Sequence, residues 1–142
     1  MSASPLELVQ SNWTALKPQS PIYGLLLENI SIISASEGEV KARLRVEKIH
    51  VNSKKTLHGT VSACLIDWIG SLAIASRGRE KTGLSTDIHI SYVGGAAEGE
   101  MLEIEGRTSK VGANLAFTTA TISKADSGQV VATGSHTKYV RQ

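Results

Sequence analysis

A chain of 142 residues with 41% hydrophobic residues has the size and apolar content of one globular domain, which excludes a multidomain assembly and a chain disordered over most of its length. The net charge of +2 is too small to be the footprint of a duplex-binding domain, so nucleic acid is not expected as a partner. One cysteine, Cys64, allows no internal disulfide and excludes a stapled secreted scaffold. In chain order, Ser4 followed by Pro5 reads as a helix cap with proline in the first turn. Leu6, Val9, Trp13 and Leu16 then recur at helical spacing until Pro18. This predicts an amphipathic helix and linker over residues 1–21, packed onto a main domain over residues 22–142. From Ile22 the expected period is two, and it is clearest where Val40, Ala42, Leu44 and Val46 alternate with Lys41, Arg43 and Arg45 after a hairpin turn at Glu37 and Gly38.

Residues 58–76 are too long for a strand and apolar nearly all round, which predicts a helix buried on most sides. Four alternating runs follow, at about 83–92, 100–109, 114–124 and 129–140, with Gly94-Gly95, Gly112 and Ser127-Gly128 as turns. One long apolar helix among about six antiparallel strands makes an α+β fold, with a sheet wrapped around a helix. The first twenty residues hold no arginine, one lysine and no apolar run of seven, so a signal peptide is not expected. The expected location is cytoplasmic, with mitochondrial import left open. The 17 residues from 60 to 76 carry Asp67 near their middle and are read as a core helix, not as a membrane span.

The chemistry-bearing candidates cluster on that helix. At its entrance, Gly59 lets a ligand approach the backbone, and first-turn N–H groups suit a developing oxyanion. Asp67 is a carboxylate in an otherwise uncharged apolar helix, an arrangement that costs several kcal/mol unless compensated. Eight residues at about 1.5 Å rise separate Gly59 from Asp67 by roughly 12 Å, too far for both to touch one carbonyl. A catalytic reading therefore requires two copies, with the entrance of one helix facing the middle of the other. Ser85 is a further hydrogen-bonding candidate, while His50 and His89 read as ordinary strand residues. The four histidines and Cys64 show no metal-ligand spacing, so neither metal nor cofactor is expected. Nucleotide-binding and serine-hydrolase motifs are absent from the sequence. Cys64 sits among apolar neighbours and reads as inert packing.

Residues 22–140 resemble the hotdog-fold acyl-CoA thioesterases. The resemblance is to the thioesterase superfamily member two (acyl-CoA thioesterase thirteen) group and the related phenylacetate-pathway enzymes. It is carried by Asn52, His58-Gly59, Asp67 nine residues after the histidine, Leu84-Ser85-Thr86-Asp87, Ile90-Ser91-Tyr92, Leu115-Ala116-Phe117-Thr118 and His136-Thr137-Lys138. Thr60 stands where the family has a second glycine, a departure that bears on pocket shape. The resemblance implies a dimer with a continuous sheet, dimers pairing into a homotetramer, and acyl-CoA as substrate. It implies that Gly59 N–H and Asn52 of one subunit polarise the thioester carbonyl while Asp67 and Ser85 of its neighbour activate water. His58 supports the site, His136 assists the departing thiolate, and Tyr92 contacts substrate. Asp67 acts either as a base or as a nucleophile. Coenzyme A phosphates would fall to Lys110, Lys124, Lys138 and Arg141, expected on turns, and the acyl chain to a slot lined by Trp68, Leu72 and Ile90. The alternatives are a hotdog hydratase or dehydratase acting on an acyl carbon, and a non-catalytic acyl-CoA-binding protein.

Overall fold

The structure is a computed structural model that describes residues 2–141. The first helix, α1 (Pro5–Leu16), starts where the Ser4 hydroxyl accepts the Glu7 N–H at 3.2 Å with Pro5 in its first turn. Its apolar face buries Val9 and Trp13, and the Trp13 ring stands edge-on to Trp68 with centroids 5.2 Å apart. The N-terminal segment thus shares the main core.

The same device recurs at Ser20-Pro21. The Ser20 hydroxyl accepts the Tyr23 N–H at 3.4 Å and starts a second helix, α2 (Pro21–Leu26), where the sequence predicted the beginning of strand periodicity. The 21/22 division drawn from the sequence therefore falls within one short helix. A capped serine-proline start outweighs a six-residue stretch too short to show its period. A hairpin of β1 (Ser31–Ser36) and β2 (Glu39–Arg45) follows. The alternation on β2 is as expected, with Val40, Ala42 and Leu44 facing the core and Lys41 and Arg43 on the outer face beside Glu105 and Glu103.

The central helix, α3 (Gly59–Ala75), is capped by His58 and buries most of its length. The strands β3 (Leu84–Tyr92), β4 (Met101–Val111), β5 (Leu115–Lys124) and β6 (Val130–Tyr139) complete one antiparallel sheet in the order β1-β2-β4-β5-β6-β3. The α+β expectation of a sheet around one long helix holds. The sheet approaches α3 so closely that a Cβ on Gly106 would stand 2.7 Å from the Ile69 side chain, and one on Gly134 2.9 Å from Ile66. Among the described residues, no helix is long and apolar enough to cross a membrane.

Two features of this architecture position the site. Asp67 lies on the flank of α3 that meets α2 and β6. Among the described residues, the edge strand β3 pairs only with β6, and it is exposed along almost all its length, including Leu84, Ile88 and Tyr92.

Candidate active site

Asp67 is compensated from two directions. From α2, the Tyr23 hydroxyl donates to Asp67 Oδ2 at 2.8 Å; from β6, His136 Nε2 stands 3.7 Å from Oδ1. About 35% of the Asp67 side chain stays exposed, so the carboxylate is held but reachable. His136 is buried, and its Nε2 is 2.7 Å from the hydroxyl of Ser85 on β3. Ser85, His136 and Asp67, which the sequence only placed in order, therefore form one cluster within a single chain. Ser85 sits where the β3 register shifts, between Ser85 and Asp87.

Burial pushes His136 below the usual histidine range, against the pull of Asp67, so the ring is neutral at physiological pH. Its Nδ1 is buried without a partner among the described residues. A buried orphan acceptor costs less than a buried orphan N–H, which places the proton on Nε2, facing Ser85 and Asp67. Cys64 is pushed up to about 12 by burial and by Asp67, so its thiol is unreactive, in line with the sequence reading. The same burial, with Asp67, raises the Tyr23 phenol far above the ordinary tyrosine range and keeps it a donor.

The helix entrance forms a second cluster. His58 Nδ1 accepts the Thr60 N–H at 3.0 Å, so His58 is the cap of α3, and the Gly59 N–H precedes the group the cap consumes. Asn52 Oδ1 accepts from Lys54 N, Thr56 N and the Thr56 hydroxyl at 2.9, 3.2 and 3.2 Å, which ties the loop and leaves the side-chain amide N–H groups as its donors. The Tyr92 ring packs on Gly59, where a Cβ would stand 3.2 Å from it, and its hydroxyl donates to Gly59 O at 3.0 Å. Contrary to the strand assignment, His50 lies in a 3-10 turn (Lys48–His50) and is fully buried. Its Nδ1 accepts the Glu47 N–H and its Nε2 donates to Leu26 O at 2.7 Å, joining α2 to the loop that leads into α3.

Between α2 and α3 runs a groove of about 440 Å³ lined by Leu16, Ile22, Tyr23, Ala63, Cys64 and Asp67, with Ile88 and Thr60 at its margins. This replaces the slot expected from Trp68, Leu72 and Ile90. Trp68 and Leu72 are fully buried, Trp68 against Trp13 of α1, while Ile90 packs against the core. Thr60 also lines a second depression with His58, Leu26, Ile49 and Val61.

The expected phosphate contacts divide. Lys138 is not on a turn. It is buried on the inner face of β6, two residues from His136, and donates to Ser71 Oγ at 2.7 Å, which in turn donates to Asp67 O at 3.4 Å. The alternation of β6 turns both residues inward, and burial lowers the Lys138 ammonium from its ordinary range while Asp67 opposes that shift. Lys110 is exposed, as is Arg141, whereas Lys124 is ion-paired with Glu100 at 3.2 Å. Lys110 pairs with Phe117 and Lys124 with Leu102, eight β4 positions apart and so about 26 Å along the sheet at ordinary strand rise. Within one chain they cannot hold the same phosphate. Tyr23 had no place among the sequence candidates. Its only sequence signal was the serine-proline cap, which could have put it on a helix but not on Asp67, 44 residues away.

The sequence matches the thioesterase superfamily over residues 54–131, more than half of the chain. The chain belongs to the thioesterase superfamily. The human protein named acyl-coenzyme A thioesterase 13 is 36% identical over 115 residues, covering 81% of this chain and 82% of that one. A fission yeast protein named putative esterase is 35% identical over 137 residues, covering 96% and 84%. The zebrafish thioesterase superfamily member 2 structure superposes with a TM-score of 0.87 at 33% identity, covering 98% of this chain and 99% of that one. The α+β architecture is thus the hotdog fold of these thioester hydrolases, and the clusters around Asp67 and Gly59 lie in a member of that family.

Proposed function

We propose that this thioesterase hydrolyses acyl-CoA, with a medium or long fatty acyl or an aryl acyl group, to the free acid and coenzyme A. The observation that carries this reading is a partly exposed Asp67, held by Tyr23 and flanked by the neutral His136, at the wall of an apolar groove. Asp67 takes a proton from water as the water oxygen attacks the thioester carbonyl. The carbonyl oxygen, as its charge develops, is met by Gly59 N–H and the Asn52 amide. The tetrahedral intermediate collapses by breaking the carbon–sulfur bond, and the leaving thiolate takes the proton that Asp67 accepted from water, or one from solvent, while the neutral His136 donates a hydrogen bond from Nε2 to the departing sulfur. A thioester needs no more than this, since its carbonyl is electrophilic and its thiolate departs readily. Ser85 orients His136 and the water.

Gly59 and Asn52 serve the Asp67 of a second copy. The distance along α3 supports this reading, as does the exposed β3 edge, which carries Ser85 and offers a seam for antiparallel pairing. Human acyl-coenzyme A thioesterase 13, by its name, supports the substrate class.

The test is thiol release from a panel of acyl-CoA of graded chain length and aryl acyl-CoA, with wild type and Asp67→Asn. The variant keeps the shape and removes the base, so kcat falls by at least about 100-fold. Comparable turnover by both proteins would refute the role of Asp67. Enoyl-CoA consumption without thiol release would point to a hydratase instead.

A further inference from the structure

The groove beside Asp67 has one wall that is not part of the sheet-and-helix body. That wall is α2, and several contacts fix it in place. Ser20 caps its start, Leu27 behind its end is fully buried, His50 Nε2 donates to Leu26 O, and Lys17 Nζ donates to Glu28 O at 2.9 Å. The Tyr23 ring stands edge-on to Trp13 with centroids 6.0 Å apart, and Trp13 is edge-on to Trp68, the residue after Asp67. The phenol is therefore delivered to Asp67 by a continuous aromatic stack.

A carboxylate turns easily about its last side-chain bond, whose wells are broad and two-fold. With Oδ2 engaged by Tyr23 and Oδ1 facing His136, the plane of Asp67 is set. We propose that Tyr23 is a positioning residue of this enzyme: its hydroxyl, brought by α2, holds Oδ2 of Asp67 so that Oδ1 faces His136 and the reacting water. The role rests on the thioesterase reading given above. The titratable and charged groups around Asp67 are Tyr23 from α2, Cys64 on α3, and His136 and Lys138 from β6. Tyr23 alone among them donates to the carboxylate at hydrogen-bond distance. It is also the one donor that comes from the N-terminal segment, so α2 becomes part of the catalytic apparatus as well as a cover for the core.

Tyr23→Phe removes the hydroxyl and keeps the ring, the stack on Trp13 and the groove wall. Thiol release from the best acyl-CoA of the panel should then show kcat reduced about tenfold, the rate equivalent of one charge-assisted hydrogen bond, with KM changed by less than about twofold. A residue that only packs would leave kcat unchanged in this variant. Thermal unfolding of wild type, Tyr23→Phe, Asp67→Ala and the double variant gives a readout that does not depend on turnover. Tyr23→Phe should lower Tm in the wild-type background and not in the Asp67→Ala background. An active wild type with an unchanged Tyr23→Phe kcat, or Tm shifts that simply add, overturns the positioning role and leaves the thioesterase reading standing. A wild type that releases no thiol from any acyl-CoA overturns the reading and the role together.

Discussion

His136 gives the fold a pH dependence of predictable sign. Burial holds its folded value below the usual 6.5; Asp67 opposes the shift, Lys138 adds to it and Asp87 opposes it again. Between the depressed folded value and 6.5, the unfolded chain binds the proton that the folded chain refuses. Stability therefore rises with pH through that window. The contribution is complete above about 6.5 and is lost as the pH falls through the folded value. Urea unfolding of wild type should show a midpoint that drops as the pH is lowered from about 6.5 toward 5, above the range in which carboxylates titrate. His136→Gln, which can still donate to Ser85 but has no side chain to protonate on unfolding, should flatten that drop. An equal drop in both proteins would mean that another group governs it. The same burial suits the proposed chemistry, because a neutral ring with its proton on Nε2 can donate a hydrogen bond to the thiolate as it leaves.

The start of α3 allows a substitution that separates the backbone donor from the fold. Proline is favoured in a first helical turn, where its missing N–H has no intrahelical partner, and His58, at ψ 136°, already has the extended backbone that a following proline requires. Gly59→Pro brings a Cβ to 3.2 Å from the Tyr92 ring, but that ring is 60% exposed and can yield. The helix should form as before, with circular dichroism close to wild type, while kcat falls about 100-fold to 1,000-fold through loss of one oxyanion donor. An active Gly59→Pro would remove Gly59 N–H from the mechanism. α3 and the strands β3 to β6 were legible in the sequence because their periods run over nine residues or more, and the shorter β2 because Val40, Ala42 and Leu44 alternate strictly with charged residues. α2 was not, since six residues beginning Pro-Ile-Tyr show neither period. Asp67 and Gly59 stood out because a charge and a missing side chain are anomalies in an apolar helix. Tyr23 and Lys138 did not, as a half-buried tyrosine and a lysine in a strand look ordinary until long-range pairing sets them beside Asp67 and Ser71. Trp68 and Leu72 misled for a related reason: apolar residues on a helix do not reveal which face is covered by other elements, as α1 covers Trp68, and which meets a groove.

The sheet ends at β1 on one side, where α1 packs on it, and at β3 on the other, nine residues with neither proline nor lysine to blunt the edge. Ser85 lies on that edge and Asp67 one hydrogen-bonded neighbour behind it, so the site of each chain opens at the boundary where a second copy would pair. If each pocket takes Gly59 from one chain and Asp67 from the other, two inactive variants can repair each other. Gly59→Pro retains Asp67, and Asp67→Asn retains Gly59. In a mixed dimer, one of the two pockets then receives both intact groups and the other receives neither. Random mixing makes half of the dimers mixed, so co-expressed variants should regain about a quarter of wild-type turnover, although each alone is nearly inert. Sedimentation of wild type should give at least a dimer over the assay concentrations. No recovery from a mixture shown to contain mixed dimers would mean that each chain builds its whole pocket alone, and the roughly 12 Å separation along α3 would then have to be bridged within one protomer.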